Sequence, residues 1–423
     1  MKKQTVNDHN NYNKTVLNNG IRVISEEIPY VRSVSIGVWI SVGSRDENEK
    51  NNGVTHLIEH MVFKGTKKRT ARMIAQSLES VGGYLNAFTS KEHTCYYARV
   101  LDEHIEKAVD VLSDLILHPE FDKYELEKEK AIILEEIKNY EDEPDEIIHD
   151  EFEKLLFNPH PLGYNILGTR ESLENLDRKE IENYKRKHYS SDNIIICAAG
   201  NIPHQKLVDL SYKYFGELKK TRNGYKRIPP KIRKKAEVHK IEKPIQQAHL
   251  CYGTYAFNVC DERRFPLLIL NTLLGDGMSS RLYQSIREKK GLAYSVYSFA
   301  NLLTDIGSFG VYAGIDKCKI DVSLLLIEKE LEKIKKVPIT ESELKRTKAQ
   351  VKGNMVLGLE SMSNRMMRLA KSEIYYRKYQ SVDSLIEKID KVSIESVQKV
   401  ANELFDLDKF KLIAYIPINN NTN

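Results

Sequence analysis

The chain repeats itself, and this limits its fold more than any other feature. RVISEEIPYVRSVSIGVWI at Arg22–Ile40 is echoed by VHKIEKPIQQAHLCYGTYA at Val238–Ala256, with Pro29 answering Pro244. Each copy reads as a strand, a Pro-containing turn and a second, alternating strand. GGYLNAFTSKEHTCYYARV is matched by GLAYSVYSFANLLTDIGSFGVYA, two adjacent strands in each half. Asp122…Glu125 and Thr340…Glu343 both read as capping boxes that open a helix. DNIIICAAGNI, late in the first half, corresponds to FKLIAYIPI, late in the second. A repeat on this scale means one structural plan used twice. At 423 residues, two domains of about 200 residues are expected. They would be residues 1–218 and 236–423, joined by a basic linker over 219–235. Each half reads as α+β, a mixed sheet with several helices on one face.

The copies differ where chemistry would sit. The first half contains His56-Leu57-Ile58-Glu59-His60. On a helix, His56 and His60 lie one turn apart on one face. That spacing can clamp a single metal ion, and neutral imidazole suits Zn²⁺. Glu59 falls to one side, placed to reach a metal-bound water rather than the metal. This is the inverted form of the zinc-protease helix. The matching stretch of the second half, Phe265–Leu274, holds no His and no Glu, so it cannot bind metal this way. A catalytic zinc needs a third protein ligand. The best donor segment is Asp122–Tyr140, DKYELEKEKAIILEEIKNY, with an apolar stripe of Leu126, Ile133 and Ile137. Glu129 and Glu136 are seven apart and share a face. One could ligate while the other orients a histidine. Glu127 and Glu135 lie on other faces. Spacing alone does not choose between Glu129 and Glu136.

HLIEHMVFKGT, GGYLNAFTSKEHTCYYARV and ELEKEKAIILEEI together resemble the insulinase-type (pitrilysin-type, M16) zinc peptidases, above all their short processing-peptidase branch. The resemblance runs from about Asn19 to about Pro417. It implies Glu136, 76 positions after His60, as the third ligand of one Zn²⁺ per chain. It implies Glu129 as the glutamate that orients a ligand and Glu59 as the general base. In SIREKKGLAYSVYSF, Arg287 and Tyr294 match an Arg/Tyr pair with which relatives hold the substrate carbonyl. Read alone, they are a charged helix position and a strand tyrosine. Gly82 and Gly83 permit a sharp entry into Tyr84–Thr89, whose edge could add a peptide as a further strand. In relatives this segment does so, which implies Gly83, Asn86 and Ala87 beside the substrate. His93, on the same segment, reads as structural. Glu141–Glu153, EDEPDEIIHDEFE, has eight acidic residues and no Lys or Arg. Glu146 and Asp150, four apart on one helix face, suit a guanidinium. They match acidic residues that the processing peptidase uses for an arginine just before the cut.

The resemblance therefore implies a zinc metalloendopeptidase that cleaves extended peptides or presequence-like segments and favours a basic residue near the scissile bond. It also implies a homodimer, since this chain carries both the zinc residues and the Arg/Tyr pair; a heterodimer with another M16-like subunit is the other arrangement. The rival reading is a non-catalytic scaffold subunit. Such relatives usually lose one or more zinc residues, whereas all four stand here.

Composition removes several other classes. The net charge of +5 is mild, and Lys219–Lys235 holds one aromatic, Tyr225. That reads as a solvated linker and not a nucleic-acid tether. No run of about 18 apolar residues exists, so no membrane span is expected. The opening MKKQTVNDHNNYNKTVLNNG is polar and Asn-rich, unlike a secretory signal or an Arg-rich presequence. The five cysteines are scattered, with no CxxC, and read as buried free thiols of a reducing compartment. A cytoplasmic protein is expected.

Overall fold

The computed structural model describes residues 12–220, 227–233 and 235–418. Residues 1–11, 221–226 and 234 of the linker region, and 419–423 lie outside the described residues.

The strands of the first sheet are β1 (Tyr12–Val16), β2 (Arg22–Glu27), β3 (Ser33–Ile40), β4 (Tyr84–Thr89), β5 (Thr94–Leu101) and β6 (Ile194–Gly200). Those of the second are β7 (Glu237–Lys243), β8 (Ala248–Ala256), β9 (Ala293–Leu302), β10 (Gly307–Ile315) and β11 (Lys411–Pro417). Their orders are β1-β2-β6-β3-β5-β4 and β7-β11-β8-β10-β9. Without β1, the two orders are the same plan. β2 runs parallel to β6 as β7 runs parallel to β11, and the remaining pairs are antiparallel. Both sheets are therefore mixed, as the duplicated sequence leads one to expect.

The described residues form two compact units. One comprises Met1–Ile137, Tyr164–Arg227 and Gly358–Tyr379; the other comprises Lys138–Gly163, Ile228–Leu357 and Gln380–Asn423. These differ from the continuous halves 1–218 and 236–423 by two exchanged stretches, and the sheets supply the reason. In β3, Val34, Ile36, Val38 and Ile40 face a core built with helices α1 (Val54–Val62) and α3 (Ile105–Leu117), which flank α2 (Ala71–Glu79) in the chain. Trp39 points the opposite way, as the two-residue period requires. It meets Met366, Leu369 and Ala370 of the helix Met362–Tyr376, together with Ile24, Cys95 and Cys197. The Trp39 indole N–H points at Met366 Sδ, 3.3 Å away. Gly37 lets that helix approach, since a Cβ there would lie 2.7 Å from Met366 Sδ. The first sheet is thus apolar on both faces, and a helix from late in the sequence covers the second one.

The second unit uses the same device. In β8, Leu250 and Tyr252 face a core with helix Arg264–Gly275. Cys251 and Tyr255 face Ile148, Phe152 and Leu156 of the helix Pro144–Phe157. That helix follows α4 (Lys123–Glu141) in the chain and is called α5. Both sheet faces are covered, where helices on one face alone were expected. Of the cysteines, Cys95, Cys197 and Cys251 are buried, but Cys260 and Cys318 are exposed; the expectation of five buried thiols is corrected for those two. No described helix is long and apolar enough to cross a membrane.

Candidate metal centre

Helix α1 carries His56, Glu59 and His60, and its first turn is held from outside. Gly53 sits at its N-cap with φ of +90°, and a Cβ there would lie 2.7 Å from the Leu167 carbonyl oxygen. With no side chain at that cap, Glu47 supplies the acceptors. Its carboxylate takes hydrogen bonds from the backbone N–H groups of Gly53 (2.8 Å) and Thr55 (2.9 Å) and from the Asn52 amide (2.9 Å). Negative charge at this end also complements the helix dipole. Burial nevertheless pushes Glu47 up to about 7, against those three bonds.

The His56 and His60 rings lie 4.5 Å apart between centroids. Helix α4 brings two glutamates to them from two turns of one face. Glu129 is buried, and its Oε2 is 3.2 Å from His60 Nδ1 while its Oε1 pairs with Lys64 at 2.6 Å. Glu136 is half-exposed, with Oε2 3.8 Å from His60 Nε2. The two imidazole nitrogens of His60 therefore face different carboxylates. With Nδ1 held by Glu129, Nε2 is the nitrogen left free for a metal. Of the two glutamates that spacing left equal, Glu136 is the one on the Nε2 side. Glu127 and Glu135 point elsewhere: Glu127 is solvent-exposed in an ion pair with Lys130.

His56, His60 and Glu136 each offer a ligand atom, and these all lie within 4.8 Å of one another. Donors on a tetrahedral zinc with bonds of about 2.1 Å stand about 3.4 Å apart, so small side-chain movements would close the set. His56 is buried, and its Nδ1 lacks any hydrogen-bond partner, an unmatched buried polar atom of the type a neighbouring bound cation explains. Burial, then the neighbouring His60, lowers its pKa to about 3, so the imidazole is neutral as a metal ligand must be. Two imidazoles and one carboxylate fit zinc with an open fourth position.

Glu59 lies beside this group. Its Oε2 accepts a hydrogen bond from Thr89 Oγ1 at 2.5 Å. Burial raises its pKa, which the Thr89 bond opposes. Thr89 was not singled out in the sequence, because a threonine at the end of a strand carries no signal until the hairpin β4–β5 is placed over α1. Thr89→Val keeps the shape and removes the donor. It should lower kcat about tenfold and leave metal content unchanged. Rates on a quenched peptide together with metal analysis check this; an unaltered kcat would remove Thr89 from the site.

The other expected residues have definite surroundings. β4 ends the first sheet, so its outer edge is unpaired among the described strands. Asn86 Oδ1 accepts from the Ala87 N–H at 2.8 Å, and Asn86 Nδ2 donates to the Tyr84 hydroxyl. Gly83 has a packing reason to be glycine, since a Cβ would lie 2.8 Å from Val100 Cγ1. His93 is buried against Trp39, with ring centroids 5.1 Å apart. Glu146 and Asp150 lie on α5 in the second unit, and Asp150 hydrogen-bonds the Tyr140 side chain. Arg287 and Tyr294 are in that unit too, with the Arg287 guanidinium over the Tyr294 ring at 5.3 Å.

Arg227 corrects the picture of a wholly solvated linker. Its guanidinium donates to both Asp46 oxygens (2.8 and 2.7 Å) and to the Glu92 carbonyl (2.6 Å), with only 17% of the side chain exposed. Burial opposes its charge, but the Asp46 bonds outweigh this and hold its pKa above the ordinary value. A linker arginine thus ties together the loop before α1 and the β4–β5 turn.

Comparison with known proteins gives these features a family. Residues 22–170 match the model of the insulinase family of peptidases (M16), and residues 175–351 match that of the M16 peptidase inactive domain. A protein of Bacillus subtilis (strain 168), named an uncharacterized zinc protease, is 43% identical over 392 residues, 92% of this chain and 95% of that one. One of the same description from Streptomyces coelicolor is 39% identical over 399 residues, 92% and 86% of the two chains. In structure, the chain resembles a protease from Helicobacter pylori with a TM-score of 0.90 at 24% identity, covering 96% of this chain and 100% of that one. It resembles an M16 inactive-domain protein from Pseudomonas fluorescens equally, with a TM-score of 0.90 at 20% identity, covering 98% and 100%.

Proposed function

This chain belongs to the insulinase family of peptidases, M16, and from that premise we propose that it is a zinc metalloendopeptidase of the inverted type. The observation that carries the reading is the convergence of His56, His60 and Glu136 to within 4.8 Å, with Glu59 next to His60 on the same helix and held by Thr89. His56 and His60, through neutral imidazoles, and Glu136 would hold one zinc per chain, and Glu129 would fix the His60 ring. Zinc, when bound, supplies a Lewis acid that acidifies water and polarises a carbonyl.

The chain's own residues do the rest. Glu59 accepts a proton from the attacking water and delivers it to the leaving amine. The edge of β4, around Gly83, Asn86 and Ala87, pairs with an extended peptide as an added strand. Asn86 Oδ1, now on the Ala87 N–H, would give way to a substrate carbonyl. Arg287 and Tyr294 donate to the substrate carbonyl and share the charge that develops there. The protein works as a homodimer in the cytoplasm. About one zinc per purified chain, with cleavage of a quenched Arg-containing peptide that a chelator abolishes, is the expected result. A chain that takes up no zinc and cleaves nothing would leave the scaffold reading in its place.

Glu146 and Asp150 are the proposed grip for a basic side chain near the cut. Reversing both charges (Glu146→Lys with Asp150→Lys) should cost a basic peptide about 10–100-fold in kcat/KM and leave a neutral peptide little changed. Equal losses on both peptides would refute this specificity.

A further inference from the structure

The segment that carries Arg287 has an unusual backbone. Tyr283–Glu288 winds as a π-helix, with the Lys289 N–H bonded to the Gln284 carbonyl five residues back at 3.1 Å. Short π-segments are rare and recur at functional sites. This one brings the Tyr283 ring under Arg287, whose guanidinium carbon is 5.0 Å from the Tyr283 centroid and 5.3 Å from that of Tyr294. Both distances fall within cation–π range. The same guanidinium has no hydrogen bond or ion pair among the described residues. Arg287 is half-buried and Tyr294 is 74% exposed, so this is not a fully buried structural arginine.

An arginine on a surface normally either finds a carboxylate or samples many rotamers. Arg287 meets no carboxylate among the described residues; two aromatic faces lie against it without occupying its N–H groups. Ring contacts work through the cation's charge, so the donors stay available for an acceptor. We propose that Tyr283 is a positioning residue for Arg287, holding the guanidinium in place with its donors free for the substrate. The inference rests on the reading above, in which Arg287 and Tyr294 engage the peptide. It adds a third residue that touches no substrate and acts through Arg287.

The test uses the full chain with zinc and a quenched peptide, comparing Tyr283→Phe, Tyr283→Leu, Arg287→Ala and the Tyr283→Leu/Arg287→Ala double variant. Leucine retains apolar bulk and loses the ring; phenylalanine keeps the ring. Tyr283→Leu should lower kcat/KM about three- to tenfold, Tyr283→Phe should restore it, and the leucine effect should vanish when Arg287 is already alanine. A second readout needs no metal: in the metal-free chain, the Arg287 side-chain proton resonances should show ring-current shifts that shrink in Tyr283→Leu and persist in Tyr283→Phe. If Arg287→Ala cleaves like the parent, the role of Arg287 falls and Tyr283 falls with it. If Arg287→Ala is impaired while Tyr283→Leu is not, or if the leucine effect survives undiminished in the double variant, only the inference about Tyr283 is overturned.

Discussion

Glu59→Gln is expected to keep its zinc and lose about 10²–10⁴ of kcat. The substitution is close to isosteric. The amide oxygen can still accept from Thr89, so the side chain keeps its 2.5 Å anchor and its place beside His60. What it loses is the ability to take a proton. His56, His60 and Glu136 are untouched, so metal content should stay at parent level. Glu136→Gln provides the contrast: it weakens one of the three converging ligand atoms and should release zinc along with activity. Metal analysis and single-turnover rates on one quenched peptide distinguish the two variants. Near-parent turnover in Glu59→Gln would mean that another group serves as base. Loss of zinc from Glu59→Gln would instead make Glu59 part of the metal shell and break the division of labour proposed for α1.

A fragment ending at Leu218 should fail to fold as an independent domain. It would keep every strand of the first sheet but lose the helix Met362–Tyr376. That helix covers the face bearing Ile24, Trp39, Cys95, Ile195 and Cys197. It also takes away Glu373, whose buried carboxylate pairs with Arg22 at 3.4 Å and Lys14 at 2.7 Å. Arg22 would be left buried without its partner, a costly state. Trp39 is the only tryptophan in the chain and is fully buried, so it reports this face alone. The fragment should show a red-shifted Trp emission and aggregate, while the full chain emits from a buried indole. In the full chain, Met366→Ala should cost about 2–5 kcal/mol and shift the emission partway. A fragment of residues 1–218 with cooperative unfolding and a buried-indole spectrum would show that the sheet does not need this helix.

Helix α1, the candidate metal helix, was the most legible part of the molecule. HLIEH carries its geometry in its spacing, because an α-helix turns i and i+4 onto one face whatever surrounds it. The strands were nearly as legible, and the same strand order in both sheets is what the echoed segments implied. The choice between Glu129 and Glu136 was different. They are equivalent on the helix, and only the placement of α4 beside α1 gives Glu129 to Nδ1 of His60 and Glu136 to Nε2. Thr89, Glu47 and Tyr283 were silent for a related reason. Each acts through contacts that a loop, a hairpin placed over a helix or an unusual turn of backbone sets, and no periodicity marks such contacts. Lys219–Lys235 shows the opposite failure. Its composition says solvated, and that holds until Arg227 meets Asp46 and Glu92, whose charges come from two other loops.

Duplication, strand pattern and metal-binding spacing are local or repeated properties, and local physics writes them into the chain directly. Which helix closes which sheet face is neither. Each sheet buries side chains on both of its faces, and a strand's alternation says only that something apolar must lie above and below it. The helix Met362–Tyr376 and helix α5 meet that demand from far along the sequence, because contact between apolar surfaces is non-directional and indifferent to chain order. Tertiary packing alone therefore decided where the two units begin and end, and which of two equivalent glutamates came to face Nε2 of His60.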